Sequence, residues 1–451
     1  MKIQVLKLRN ALGLLEGLAT VKSARTKATA KSGKGGRKST KTTFKPQIYP
    51  VLSNVLLQDG MAIATDLEIG VTVALDEVVG QYLLPYREVS KLLRYVPGNE
   101  EVEIAMMGHS LSLSWEGGSA NYQADDPAEY PVLPQINPVI KCAVSADILT
   151  PALVSMLDYC SDEQERPVLT GVSLFLGTQL ELAAGDGNRM AYKTLPISIP
   201  PADGLKTVIL PQRVVKTMEL LWKKAPRPIP EDTSVIDIAS MVATKGPMEL
   251  ELSPILIRVQ FGIVTLLAKT ITGTPPNFKQ LIPSSGSSQF NSVNIYAADL
   301  EIALRRIMGA VEVGEAAAVR MEWDNGKMKL ATGYLENRIE VSMPVGTSNG
   351  AGRVALDFKY LMEYIKGKAG LITMDVSTQT NPVLFRHSNS PLVCIMPMNV
   401  SWPGDPVAET KAETVQETTA AQKSEETNAE EPEDETAEDE DKSAEGEGAA
   451  A

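Results

Sequence analysis

This chain of 451 residues repeats one pattern three times, and that repetition limits its possible folds more than any other feature. A helix-like segment behind a short leucine-led lead reads LPYREVSKLLRYV from Leu84, LPQRVVKTMELLW from Leu210 and LDFKYLMEYI from Leu356, spaced by 126 and 146 residues. A strand-like pair precedes it each time. The first begins PVLSNVLLQDGMAIATDLE at Pro50 and the second PVLTGVSLFLGTQLELAAGDGN at Pro167. The third, VRMEWDNGKMKLATGYLEN, matches more weakly, with Ala331 standing 147 residues after Ala184. EYPVLP at 129–134 and NFKQLIP at 277–283 close the first two units. Landmarks recurring in one order at a long period are the mark of tandem duplication. A chain this long also exceeds a single hydrophobic core, so about three domains are expected.

Short strand-like runs fill the units, among them SNVLLQDGMAIATD, EVEIAMM, SLSLSW, GVSLFLG, LELAAGD, KMKLATG and RIEVSMPV. They alternate or are compactly β-rich, bounded by Gly, Asp and Asn. Each unit adds a first helix: LRNALGLLEGL, ADILTPALVSML or AADLEIALRRIM. The pattern gives an α+β chain of three domains, 1–137, 138–284 and 285–403, each with two helices backed by antiparallel sheets. PSSGSSQ at 283–289 would serve as a linker. The second unit carries an extra stretch around 225–247. With 43% hydrophobic and 5% aromatic residues, the cores should be mostly aliphatic.

The net charge of −13 hides an uneven distribution. Residues 405–451 alone carry −14, leaving the first 404 at +1. Within these, 22–45 holds nine basic residues and no acid. The acidic tail has little to bury and should be disordered. The basic stretch, rich in Gly, Ser, Thr and Ala, should be a flexible loop. No window approaches the roughly 18 uninterrupted apolar residues of a membrane helix. The first residues, MKIQVLKLRNALGLLEGLA, have charges inside the apolar stretch and no clear cleavage site, so they do not read as a signal peptide. Cys142, Cys160 and Cys394 are odd in number and lack framework spacing, which fits reduced thiols in the cytoplasm.

The repeated helices lean basic. Arg87, Lys91 and Arg94 fall at i, i+4 and i+7 on one face, opposite Val89, Leu92, Leu93 and Val96. The second unit offers Arg213, Lys216, Lys223 and Lys224, the third Arg305, Arg306, Lys359, Lys366 and Lys368, and the first helix Lys7 and Arg9. On one helix such residues are as well explained by solvation. Their recurrence favours a positive lining that meets phosphates without reading sequence.

In this order and spacing the motifs PVLSNVLLQ, ATDLEIGV, RPVLTGVSLFL, AAGDGNRMAY, PPNFKQLIP and IMPMNV resemble the bacterial DNA sliding clamp, the β subunit of DNA polymerase III. The resemblance spans nearly all of 1–400. It implies helices inside and sheets outside, with two chains joined head to tail as a homodimer ring of six domains around duplex DNA. It implies a non-catalytic processivity factor without cofactor or metal. Its partners would be the replicative polymerase subunit, the clamp loader, and repair polymerases or other proteins with a clamp-binding motif.

By motif match, the family's peptide pocket between the second and third domains would comprise Leu169, Gly185, Gly187, Asn188, Arg189, Met190, Pro276, Gln280, Leu281, Met396, Pro397 and Met398, with Cys394 beside them. Flexible Met side chains suit Leu and Phe anchors, although Met396 and Met398 also read as core strand residues. DNA contacts would come from Lys45, Arg37, Lys38, Arg87, Lys91, Arg94, Arg166, Arg213, Lys216, Arg305 and Arg306. The dimer seam would use the edge near 119–123 and the helix with Ile307 and Met308. Three departures stand out. Asn188 replaces the usual His, Gln280 replaces an Arg of some members, and the chain continues beyond the Met-Pro-Met strand. The insertion around 22–45 should add DNA contacts, and the acidic tail should compete with DNA for basic surface.

Enzyme readings are weaker. His109 and His387 have no metal-ligand spacing to Cys, Asp or Glu. No nucleophile elbow appears, and SGKGGRKST lacks the frame of a phosphate loop. Asp186 in AAGDGNR is better explained as a turn residue, with Asp66 as its first-unit counterpart. The competing function is a general nucleic-acid-binding or scaffold protein.

Overall fold

The computed structural model describes residues 1–19, 25–27, 42–44, 49–225, 247–282, 290–310, 317–332, 339–388 and 390–402. Lys45, Arg37 and Lys38, the extra second-unit stretch and the acidic tail beyond Trp402 lie outside them. Residues 1–399 form one compact unit.

All six helices stand where the repeat puts them: α1 (Val5–Ala19), α2 (Tyr86–Leu93), α3 (Ala146–Val154), α4 (Gln212–Lys224), α5 (Ala297–Ile307) and α6 (Phe358–Ile365). Pro85 and Pro211 end the strands before α2 and α4. A proline cannot donate to a ladder, so strand pairing stops there and the helix starts. Asp357 caps α6 by accepting from Lys359 N at 2.7 Å and Tyr360 N at 3.3 Å. The helices pack in pairs, α1 on α2, α3 on α4 and α5 on α6, with α1 also touching α4. Val89 and Leu93 of α2, Val214, Val215, Met218 and Leu221 of α4, and Leu361 and Ile365 of α6 are buried. The charged faces therefore point outward, as amphipathic spacing requires.

Arg25–Lys27 and Thr42–Phe44, inside the basic stretch expected to be a loop, pair as a separate antiparallel two-stranded sheet, and the other described strands fall into six four-stranded blocks, two per repeat. In the first repeat one block runs Gln81–Pro85, Asn54–Gln58, Met61–Thr65, Ile69–Ala74, and a second runs Lys2–Gln4, Glu101–Met107, Ser110–Trp115, Gly118–Gln123. The second repeat has Thr207–Pro211, Gly171–Phe175, Leu180–Gly185, Arg189–Leu195, then Ile140–Ser145, Pro247–Leu252, Leu256–Phe261, Val264–Lys269. The third has Gly352–Asp357, Ala318–Asp324, Lys327–Thr332, Ile339–Pro344, then Asn291–Tyr296, Leu371–Val376, Val383–His387, Leu392–Ile395.

The blocks join edge to edge. Val264–Lys269 pairs antiparallel with Ile69–Ala74, placing Leu267 opposite Gly70. Leu392–Ile395 pairs in the same way with Arg189–Leu195, placing Cys394 opposite Met190. Two continuous eight-stranded sheets result. The second block of the first repeat and the first block of the third remain four-stranded. Among the described residues, their outer strands Gly118–Gln123 and Ile339–Pro344 have no partner on one side. Ile307, expected at a seam, is instead fully buried. Helix α5 packs beneath strand Ile339–Pro344, so Ile307 belongs to the core of its own repeat. Met308 is exposed.

Candidate functional site

Three elements meet over the second joint. The first is the turn between strands Leu180–Gly185 and Arg189–Leu195. Asp186 Oδ1 accepts from Asn188 N at 3.0 Å and Arg189 N at 2.9 Å. Asp66 builds the matching turn in the first repeat, accepting from Glu68 N at 3.0 Å and Ile69 N at 2.8 Å. Both aspartates thus close turns through a short side chain bonding to nearby backbone. The second element is the segment around Phe278–Leu281, a single 3-10 turn. The third is the end of strand Leu392–Ile395, whose next residue, Met396, donates its N–H to Asn188 O at 2.8 Å.

These elements enclose a groove of about 330 Å³. Its floor is a small apolar cluster apart from the main core: Leu169, Ala183, Met190, Tyr192, Phe278, Leu384 and Cys394. Gly185 admits the Phe278 ring, because a Cβ there would stand 3.0 Å from a ring carbon. Phe278 in turn meets Phe175 edge to face at 6.4 Å. Of the residues expected at a peptide pocket, Leu169, Gly185, Gly187, Asn188, Arg189, Met190, Pro276, Leu281, Cys394 and Met396 line the groove. Gln280, Pro397 and Met398 do not. The 3-10 turn buries Phe278, which leaves Gln280 in solvent. Met398 N bonds Ala355 O at 2.8 Å and leads the chain away.

Arg166, expected among DNA contacts, lies on the groove wall next to Gly187. The short helical turn Pro167–Leu169 fixes it there, distant in sequence from the basic helix faces. Phe278 and Pro382 also line the groove and were missed. Phe278 sat inside a recognised landmark but served only to count repeats, and nothing in the sequence ties Pro382 to this joint. The lining is largely apolar, with one exposed cation at the rim. Burial pushes the Cys394 thiol up to about 12, so it stays a neutral apolar wall. An apolar lining of this kind suits apolar groups of a ligand.

Arg189 lies mostly beneath the groove, 8% exposed. It pairs with Asp186 at 3.0 Å and Glu363 of α6 at 2.6 Å, and donates to Asp158 O at 2.6 Å. Its guanidinium stacks over Tyr360 at 4.5 Å. Burial opposes its charge, but Glu363 and Asp186 outweigh that and hold its pKa above the usual arginine value. It fastens the turn to α6, assisted by Asn188 Nδ2 donating to the Tyr360 hydroxyl at 3.3 Å.

The helical cations divide by partner. Arg87, Lys91, Arg94, Arg213, Lys216, Arg305 and Arg306 are all exposed. Arg213 pairs with Asp66 and Glu68, and Arg305 with Glu301 at 2.7 Å. Arg87, Lys91, Arg94, Lys216 and Arg306 make no ion pair among the described residues. Arg9 is structural: it donates to the carbonyls of Leu93 and Val96 at 2.5 and 2.6 Å and so closes the end of α2. Lys7 pairs with Glu77, Lys224 with Glu16 at 3.2 Å, and Lys368 sits 4.2 Å over the Tyr364 ring. Among the described residues no cluster of His, Cys, Asp and Glu could hold a metal ion, and no helix is long and apolar enough to cross a membrane.

Three tandem repeats of paired helices and joined sheets, with a peptide-sized groove over one joint, define a DNA-clamp architecture. The fold is that of the bacterial β sliding clamp, as the motifs implied. No family model matches the chain. It is 26% identical to the β sliding clamp of Synechococcus elongatus over 376 residues, covering 78% of this chain and 89% of that one. It is 24% identical to that of Synechocystis over 359 residues, covering 75% and 88%. A crystal structure of the Bartonella birtlesii sliding clamp, DNA polymerase III subunit beta, bound to griselimycin, aligns with TM-score 0.71 at 20% identity over 89% of this chain and 99% of that one. The Thermotoga maritima DNA polymerase III beta subunit aligns at 0.67 with 19% identity, covering 89% and 99%.

Proposed function

We propose that this chain is a DNA sliding clamp, a processivity factor that closes as a head-to-tail dimer around duplex DNA and tethers a polymerase to it. One observation carries the reading. Each internal joint sets the second block of one repeat against the first block of the preceding repeat. The two blocks left over are one of each kind, each with its joining strand open among the described residues. An unpaired edge is a template for another chain, and a second copy supplies the complement of both edges. Two such seams would close six repeats into a ring, a symmetric dimer needing no further component.

The repeats would span 1–137, 138–284 and 285–403. DNA would be held by cations without base contacts, through Arg87, Lys91, Arg94, Lys216 and Arg306, with Arg213 and Arg305 released from their carboxylates on contact, and through Lys45, Arg37 and Lys38. The groove of Leu169, Met190, Leu281 and Met396 would take a peptide from the replicative polymerase, the clamp loader or repair polymerases, with Arg166 meeting a carboxylate beside the anchor. The work would be cytoplasmic and needs no catalytic group.

The test is size-exclusion chromatography with light scattering, then retention on DNA. A clamp elutes at twice 48.6 kDa, stays on circular DNA after loading, and slides off linear DNA. Tight direct binding to short linear duplex would favour a general nucleic-acid-binding protein. A monomer that binds neither form would favour a scaffold.

A further inference from the structure

The first joint is built from the same three elements as the groove at the second, yet it is closed. Leu267 opposite Gly70 and Ala268 opposite Ile69 match Cys394 opposite Met190 and Ile395 opposite Arg189. Lys269 N donates to Glu68 O at 3.0 Å, as Met396 N donates to Asn188 O at 2.8 Å. The closing segments correspond too. Tyr130 is buried as Phe278 is, with its hydroxyl accepting from Thr65 N at 3.1 Å. Leu133 follows three residues later, as Leu281 follows Phe278. The space left is only about 60 Å³, against about 330 Å³ at the second joint.

One pair of positions accounts for the difference. Gly70 has no side chain where Met190 has a long one, and Leu133 lies in the vacated place. A Cβ on Gly70 would stand 2.5 Å from Leu133 Cδ2. Leu133 packs against the buried cluster of Ile136, Leu256 and Leu267. At the second joint Leu281 stays at the rim, 53% exposed. The neighbouring Val132 is 94% exposed, so the segment presents one side chain inward and the next outward, as a bound extended peptide does.

We propose that 130–134 is a built-in ligand of a second peptide groove, with Leu133 as its anchor. The first joint is then held shut in cis. A short extended peptide with a leucine anchor binds there once Leu133 is removed. This inference rests on reading the second joint as a peptide groove. It explains why a chain with two like joints offers one open groove: the closing segment of the first repeat reaches in, and that of the second does not.

The probe is the capped octapeptide EYPVLPQI, residues 129–136 of this chain. It is titrated calorimetrically into the full-length chain and into its Leu133→Ala variant. The expected result is one more equivalent bound per chain in the variant than in the parent. A rise from none to one supports the inference and shows that the open groove at the second joint does not take this sequence. One equivalent in both overturns the inference and leaves the peptide reading of the second joint intact, and none in both overturns the inference as well. Should Leu133→Ala fail to fold, thiol labelling of Leu133→Cys is compared with Val132→Cys in otherwise unaltered chains. Labelling of Leu133→Cys should be roughly tenfold slower, because access requires local opening. Equal rates would show that Leu133 is not held in the groove and would overturn the proposal.

Discussion

Two arginines perform related tasks at the two joints, and their burial sets how much each matters. Arg189 is enclosed between Asp186, Glu363 and the Tyr360 ring, whereas Arg213 reaches Asp66 and Glu68 with 59% of its side chain in solvent. Removing one partner of a buried pair strands the other charges, so Arg189→Ala should lower unfolding stability by about 3 kcal/mol. The exposed Arg213→Ala should change it by less than about 1 kcal/mol. Urea unfolding midpoints compare the two directly, and equal losses would mean that burial is not what distinguishes them. The thiols give a second check. Burial raises Cys160 and Cys394 to about 12, so at pH 8 both stay protonated. Cys142 is half-buried and raised less, so an Ellman assay on the native chain at pH 8 should show it reacting first. Most of the groove was legible at this scale, because residues 185–190 and the Met-Pro-Met stretch carry a local motif. Arg166, Phe278 and Pro382 were not legible as wall residues, because each reaches the groove through packing that leaves no local signal.

At the scale of elements, the paired turns show how one backbone shape tolerates different residues. Leu67 adopts φ +76° where the second repeat has Gly187 at φ +100°. A left-handed conformation costs a non-glycine residue about 1–2 kcal/mol, partly offset because glycine loses about 0.5–1 kcal/mol more chain entropy on folding. Leu67→Gly should therefore stabilise the chain by about 0.5 kcal/mol, and Gly187→Leu should destabilise it by about 1 kcal/mol. Thermal unfolding of both variants tests this, and a destabilised Leu67→Gly would show that its side chain packs more than its partial exposure suggests. The helices were legible in sequence because their apolar residues keep a 3.6-residue period along one continuous segment. The joints were not. Strands Val264–Lys269 and Ile69–Ala74 come from different repeats, and no periodicity within either says which strand it will meet. Ile307 was misread for the same reason, since an apolar residue on a helix looks alike whether it faces its own sheet or another chain.

At the scale of the whole molecule, charge and symmetry each give a test. If the basic insertion contacts DNA, deleting 23–43 should flatten the dependence of log affinity on log salt, because each phosphate neutralised contributes about 0.9 to that slope. An unaltered slope would make the insertion a spacer. The proposed seam can be specified more sharply, because the two internal joints share one register. Thr265 lies opposite Thr72 and Leu266 opposite Val71 at the first joint, and Leu392 opposite Tyr192 and Val393 opposite Ala191 at the second. The open edges align with these strands through their own hairpins, Gly118 paired to Trp115 as Val264 is to Phe261, and Glu340 paired to Ala331 as Tyr192 is to Ala183. Carrying the register across sets Ser119 opposite Glu340 and Ala120 opposite Ile339 of a second copy. Directly opposed residues bring their Cβ atoms to about 5 Å, close to what a disulfide spans. A one-residue slip turns the side chains to opposite faces of the sheet. The chain carrying Ser119→Cys and Glu340→Cys should thus form a covalent dimer under mild oxidation, whereas Ser119→Cys with Val341→Cys should not. Crosslinking by the second pair and not the first would leave the dimer standing but shift its register. Crosslinking by neither, in a chain that still elutes as a dimer, would move the contact away from these two edges altogether.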